Sequence, residues 1–163
     1  MAGVRWQAFV ERAGELGELA DERIVRPELA LLGTLRADGS PRISPCEVYV
    51  VDGELLLGMM WQSRKARDLL RDPRIVVHST QSDKSGAQPD VKLYGAVVDV
   101  PEPGLRERYG DTLEAAINWR PPEPFHLFAL NVVGAGAIGF GDAPRAMRWS
   151  EGDGLVVLRH PND

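Results

Sequence analysis

Apolar residues recur at spacings of three and four along the N-terminal segment: Trp6, Phe9, Val10, Ala13, Leu16 and Ala20. Acids and Arg12 fill positions between them. That rhythm predicts an amphipathic helix over residues 4–20. From Glu28 the pattern becomes extended. The segment ELALLGTLRADGSPRISPCEVYVVDGELLLGMM holds three apolar runs separated by Asp38-Gly39 and Asp52-Gly53. Asp-Gly between such runs favours a hairpin, because both residues tolerate positive φ. Strands are expected near 29–36, 41–51 and 54–60.

A short helix is expected at 63–71, with Ser63 as its N-cap, Ala66, Leu69 and Leu70 as its apolar face, and Asp72-Pro73 as its stop. RIVVHST reads as the next strand, QSDKSGAQPD as a polar loop, and VKLYGAVVDV as another strand. Gly95 within that strand suggests a bulge or a close backbone approach. PEPGLRERYGDTLEAAINWRPPE is helical in its middle and ends at Pro121-Pro122. FHLFALNVVGAGAIGFG returns to extended structure, and RAMRWSEGDGLVVLRHP reads as a last hairpin turning at Asp153-Gly154. Seven or eight strands joined mostly by short turns favour an antiparallel sheet, and closure into a barrel removes vulnerable edges. The expectation is a mostly β fold, a barrel with flanking helices, formed as one domain over 1–163 with an N-terminal helix in 1–22 packed on it.

Composition changes this picture little. Charged residues at 26% and a net charge of −5 argue against a general nucleic-acid binder, while leaving room for a local cationic pocket. Cys46 is the only cysteine and has no partner for an internal disulfide, which suits a reducing, cytoplasmic setting. The N-terminal segment carries acids and no long apolar stretch, which argues against a signal peptide. No window approaches the roughly 18 apolar residues of a membrane span. His78, His126 and His160 are too scattered to suggest a metal site.

The candidate chemistry lies in MMWQSRKARDLLRDPR. Ser63, Arg64 and Lys65 open a helix, where the dipole already favours an anion and disfavours cations. A hydroxyl and two cations there would add charge-assisted hydrogen bonds to a phosphate. The competing reading is a chance surface cluster partnered by Asp68 or Asp72. GAGAIG, residues 134–139, matches the dinucleotide-loop pattern, but no amphipathic helix follows it, so small residues for strand packing are the better reading. Trp61 beside the cationic segment is a candidate cover for a ligand. The other tryptophans read as core or interface.

The ordered set DG-PR, S-R-K, DP-R and V-x-x-x-G over residues 28 to 100 resembles the flavin-binding split-barrel superfamily typified by pyridoxamine 5′-phosphate oxidase. The resemblance implies an antiparallel, Greek-key-like six-stranded barrel forming a homodimer with two FMN sites at the interface. It implies that Ser63, Arg64 and Lys65 hold the FMN phosphate. Arg42, Ser44, Pro45 and Cys46 would lie beside the ring and ribityl chain. Gly58, Met59 and Met60 would form the neighbouring strand facing the flavin. Asp90 or Lys92 would supply a polar position, and Trp149 an aromatic near the partner's cofactor. No residue is marked as catalytic and no metal is implied, since the hydride chemistry resides in the cofactor. LVVLRHPND and LEAAINWRPPE do not match the oxidase's substrate motifs, so the resemblance implies a small organic substrate without implying vitamin B6. The superfamily also includes reductases using the deazaflavin F420, which the cationic segment suits equally. A non-catalytic flavin or haem binder, and an empty barrel serving only as an interaction module, are the remaining alternatives.

Overall fold

The computed structural model describes residues 3–82, 84–142 and 144–161. Asp83 of the expected loop, Ala143 before the last hairpin, and the outermost residues of the expected domain lie outside that range. Eight strands form one antiparallel sheet: β1 (Leu29–Leu35), β2 (Pro41–Val51), β3 (Glu54–Met60), β4 (Arg74–Ser79), β5 (Asp90–Asp99), β6 (Phe125–Gly139), β7 (Arg145–Ser150) and β8 (Gly154–Val157). The order is β3-β2-β1-β4-β5-β6-β7-β8, and β3 also pairs with β6. That extra pairing closes β1–β6 into the expected six-stranded barrel, from which the β7–β8 hairpin continues. Placing β1 between β2 and β4 makes the first four strands a Greek key.

The first two hairpins follow the sequence closely. Asp52 and Gly53 both adopt positive φ, of 51° and 75°, as a tight turn requires. Alternation then sorts the side chains. Ala30 and Leu32, Cys46 and Val48, Leu55, Leu57 and Met59 point into the barrel and are buried. Their neighbours face outward, where Leu31, Ile43 and Tyr94 remain exposed.

The expected N-terminal helix is broken. Helix α1 (Trp6–Ala13) and α2 (Glu15–Ala20) meet at Gly14, with φ 53° and ψ −125°, and a π-helical turn follows at Asp21–Val25. The break lets α2 fold back on α1. A side chain at Gly17 would press on the Val10 backbone, its Cβ 2.7 Å from the Val10 carbonyl oxygen. The resulting unit fills one end of the barrel, where Phe9 meets Trp149 edge-on at 5.1 Å between ring centres.

Helix α3 (Arg64–Arg71) crosses from β3 to β4. Ala66 and Leu69 are buried as expected, but Leu70 is 52% exposed. Asp68 takes the buried place instead, drawn in by partners described below. Helix α4 (Pro103–Ile117) is capped by the Glu102 carboxylate, which accepts hydrogen bonds from the Gly104 and Leu105 amides. It ends at Asn118 in the left-handed conformation, before the prolines expected to stop it. Tyr109 and Leu113 of α4 cover the outer face of β3 and form a second core with Leu56, Phe125 and Leu127.

GAGAIG lies inside β6 and carries no phosphate loop. Gly95 meets both expectations. The β5–β6 register shifts between Tyr94 and Gly95, and a Cβ at 95 would overlap the Asn131 carbonyl oxygen. The Gly95→Ala variant should therefore lose about 2 kcal/mol of stability, within the range for overpacking a tight site. Thermal unfolding should show a midpoint lowered by roughly 4–8 °C for a domain of this size.

Candidate functional site

Two cavities meet the head of α3. One, of about 550 Å³, is bounded by the end of β3 (Gly58, Met59, Met60), by Trp61 and Lys65, by Tyr109 and Leu113 of α4, and by Trp119, Pro121, Pro122, Pro124 and Phe125. Glu47 on β2 completes it. The other, of about 380 Å³, is lined by Arg36, Arg42, Arg64, Arg67 and Arg71 with Ala37, Asp38 and Asp68. Consecutive residues at the head of α3 thus part company: Arg64 lines the arginine cleft and Lys65 the aromatic cavity.

Ser63 has the extended backbone of an N-cap, φ −58° and ψ 151°, yet its side chain makes no capping bond. Its Oγ is shielded from solvent and has no hydrogen-bond partner. Lys65 reaches across to β2, where its Nζ donates to the Pro45 carbonyl at 2.7 Å. Neither Asp68 nor Asp72 partners Arg64 or Lys65, as a chance surface cluster would require. Asp68 pairs with Arg42 and Arg71, and Asp72 pairs with Arg74 at 2.6 Å.

Asp68 is 3% exposed. It accepts from Arg42 Nε at 2.6 Å and Thr34 Oγ1 at 3.0 Å, and pairs with Arg71 at 3.2 Å. Burial pushes the carboxyl pKa up, but the hydrogen bonds from Arg42, Thr34 and Arg71 together outweigh it and hold the group below the usual carboxylate value. Arg71 also donates to the Leu35 carbonyl, tying the helix to the end of β1.

The other expected site residues separate into three groups. Gly58, Met59, Met60 and Lys65 meet at the aromatic cavity, although Met59 turns its side chain into the barrel and only Met60, 77% exposed, faces outward. Arg42 and Arg64 meet in the arginine cleft. Alternation on β2 sends Arg42, Ser44 and Cys46 to one face and Pro45 to the other, so these four do not act as one wall. Cys46 is buried, its Sγ 3.5 Å from the Gly58 carbonyl oxygen, and burial pushes its thiol up to about 11.

Two expected residues lie outside both cavities. Lys92 is paired with Asp90 at 2.8 Å on the outer face of β5, in the same cross-strand row as His78 and Leu31. Trp149 is 3% exposed and packs in the core against Phe9. Trp61 does rim the aromatic cavity, stacked on His126 at 4.4 Å and 11°. Sequence reasoning missed the aromatic wall: Tyr109 of α4, Trp119 just after it and Phe125 at the start of β6. It also missed Arg67 and Arg71, although their i+3 and i+7 spacing from Arg64 marks one helix face. Burial pushes the Tyr109 phenol further up from its ordinary value, so it is no base at neutral pH.

The strand order, closed by β3 against β6 with α3 crossing at the cationic helix start, defines a split barrel. Residues 16–138 match the model of the pyridoxamine 5′-phosphate oxidase family, and the chain belongs to that family. No curated protein matches it by sequence. Solved structures with the same fold include a haem-binding protein from Mycobacterium smegmatis, at TM-score 0.61 and 20% identity over 78% of this chain. This chain spans 56% of that protein's length. PhzG from Burkholderia lata 383, in complex with tetrahydrophenazine-1-carboxylic acid, gives TM-score 0.59 and 15% identity over 88% of each chain. An F420 reductase gives TM-score 0.57 and 17% identity over 71% of this chain and 94% of its own. At these identities the likeness is one of fold. Among the described residues, no helix is long and apolar enough to cross a membrane.

Two measurements check the site's electrostatics. The Asp68 carboxyl pKa is lower when folded than when unfolded. Its stabilisation is therefore full above the unfolded value of about 4 and is lost as pH falls through the folded value. The stability gap between the parent chain and Asp68→Asn, from urea unfolding, should be widest above pH 5 and shrink below pH 3. Cys46 should alkylate at least 100-fold more slowly in the native protein at pH 8 than in urea, because a thiol near 11 holds far less thiolate than a free one.

Proposed function

We propose that this chain is a flavin-dependent oxidoreductase that binds FMN, with F420 as the alternative cofactor, and acts on a small organic substrate. One observation carries this reading: the solvent-shielded, partnerless Ser63 hydroxyl, beside Arg64 and Lys65, neither of which has a carboxylate partner, opens a helix next to an aromatic cavity. An orphaned buried hydroxyl costs stability unless a ligand satisfies it. A phosphate suits all three groups and the helix dipole together. The residues present therefore fit an anionic, ring-bearing cofactor.

In this reading Ser63, Arg64, Lys65 and the first amides of α3 hold the phosphate. Met60, Trp61, Trp119 and Phe125 offer the ring an apolar surround that limits water. When bound, such a cofactor supplies two-electron hydride chemistry. The chain supplies orientation and charge. Lys65, held by the Pro45 carbonyl, fixes a positive charge at the cavity edge, and Glu47 sets a carboxylate beside it. Tyr109, kept neutral, offers a hydroxyl beside Gly58 rather than a base.

The reading includes a homodimer. Leu29, Leu31, Ile43 and Tyr94, exposed by 41%, 37%, 75% and 50%, lie on the outer face of β1, β2 and β5, with His78, Asp90 and Lys92 set among them. Exposed apolar side chains on such a mixed face favour association. The likeness to a haem-binding protein keeps a non-catalytic carrier as a second reading; His126, whose buried Nε2 has no hydrogen-bond partner, lines a further cavity of about 460 Å³ with Trp61 and with Leu70 of α3.

Titration of the purified chain with FMN and, separately, F420 should show saturable changes in absorbance, with gel filtration giving twice the monomer mass. Reduction of the bound cofactor by NAD(P)H or a substrate marks an enzyme rather than a carrier. The double variant Arg64→Ala, Lys65→Ala should lose about 3–6 kcal/mol of cofactor binding, at about 1.5–3 kcal/mol for each charge-assisted bond. Unchanged affinity in that variant, or a Soret band with no flavin binding, would overturn the assignment.

A further inference from the structure

The arginine cleft holds more positive charge than a single phosphate needs. Arg159 aside, every arginine side chain among the described residues except those of Arg36, Arg64 and Arg67 makes a hydrogen bond or an ion pair. All three exceptions line this one cleft. The chain carries a net charge of −5, and acids elsewhere on its surface find arginines readily. Within the cleft, Asp68 is shared between Arg42 and Arg71, and the only other carboxylate, Asp38, is turned to the Ser40 amide and hydroxyl. The cleft thus keeps a surplus of three positive charges.

Stability does not account for that surplus. Arg64 and Arg67 are like charges at i, i+3 on one helix, which repel, and Arg64 sits at the dipole's positive end. Arg36 approaches the same space from the β1–β2 hairpin. Guanidinium groups brought from a helix and a hairpin into a cleft of about 380 Å³ suit a compact anion with several closely spaced charges.

We infer that the arginine cleft binds an oligophosphate, a chain of two or three phosphate groups, either free or carried by a nucleotide. This ligand is additional to the proposed cofactor. The two sites share Arg64 alone, so the test leaves Arg64 in place and does not depend on the cofactor reading.

The test is calorimetric titration of the full chain at fixed ionic strength. Inorganic tripolyphosphate should bind saturably, at least 10-fold more tightly than orthophosphate. Arg36→Ala and Arg67→Ala should each weaken tripolyphosphate at least 5-fold, and Arg67→Lys should weaken it less than Arg67→Ala. Both alanine variants should keep the parent's unfolding midpoint and FMN affinity. Lys84→Ala, in the exposed loop between β4 and β5 away from the cleft, should change nothing. A nucleoside triphosphate binding more tightly than tripolyphosphate assigns the phosphate chain to a nucleotide, and equal binding assigns it to free polyphosphate. Equal affinity for tripolyphosphate and orthophosphate overturns the inference. So does unweakened binding in both alanine variants, an equal loss in Lys84→Ala, or stronger competition by an unphosphorylated oligonucleotide. If FMN fails to bind while tripolyphosphate binds as described, the cofactor reading falls and the cleft stands.

Discussion

The Asp68 carboxylate accepts hydrogen bonds from Thr34 on β1 and Arg42 on β2, and pairs with Arg71 on its own helix. A helix of eight residues is too short to hold itself in water. Only Ala66 and Leu69 give α3 buried apolar surface, and its Leu70 is turned outward. The charged clasp does what a longer apolar face would otherwise do. It also fixes direction, because each partner comes from a different element. With Asp68 anchored, the head of α3 has one place to go, at the end of β3 and between the two cavities.

From that placement the division of labour at positions 63 to 65 follows. Successive residues on a helix point about 100° apart, so the two cations flank the helix start from different sides. Arg64 falls to the side of Asp68 and the arginines, while Lys65 falls to the aromatic side and is held by the Pro45 carbonyl. Lys65 thus shares its cavity with the Glu47 carboxylate, whereas Arg64 stands among four other arginines. Ser63 stands between the two, its hydroxyl closed off from water and from any protein partner.

The parts legible in the sequence were those with local causes. Asp52-Gly53 turns the chain within four residues, so β2 and β3 were found at their true bounds. Gly95 announced a crowded backbone because little else explains a glycine in mid-strand. The burial of Trp149 depends on Phe9 at the other end of the chain, and no local pattern records that pairing. Lys92 has a nearer partner, Asp90, two residues away on the same strand face. The aromatic wall of Tyr109, Trp119 and Phe125 exists only once α4 lies over β3, and the empty space at Gly58 is what lets the Tyr109 ring approach. The break in the N-terminal helix has the same character, since Gly17 is small for the sake of Val10.

The charge arrangement around α3 bears on why cations stand at a helix start at all. If they served stability, a carboxylate in the first turn would do better by both dipole and pairing. Acids are available, but each is committed elsewhere: Asp68 inward to Arg42, Asp72 forward to Arg74, Asp38 to its own turn. Burial would push Asp68 toward its neutral form, and only its three partners keep it charged. The one buried acid of α3 is therefore held by the barrel and cannot relax toward the free arginines without breaking the clasp that positions the helix. The unbalanced charge at Arg64 and Arg67 is in this sense locked in by the same contact that orients them. A ligand's anion is the remaining group that can neutralise them while the fold stays as it is.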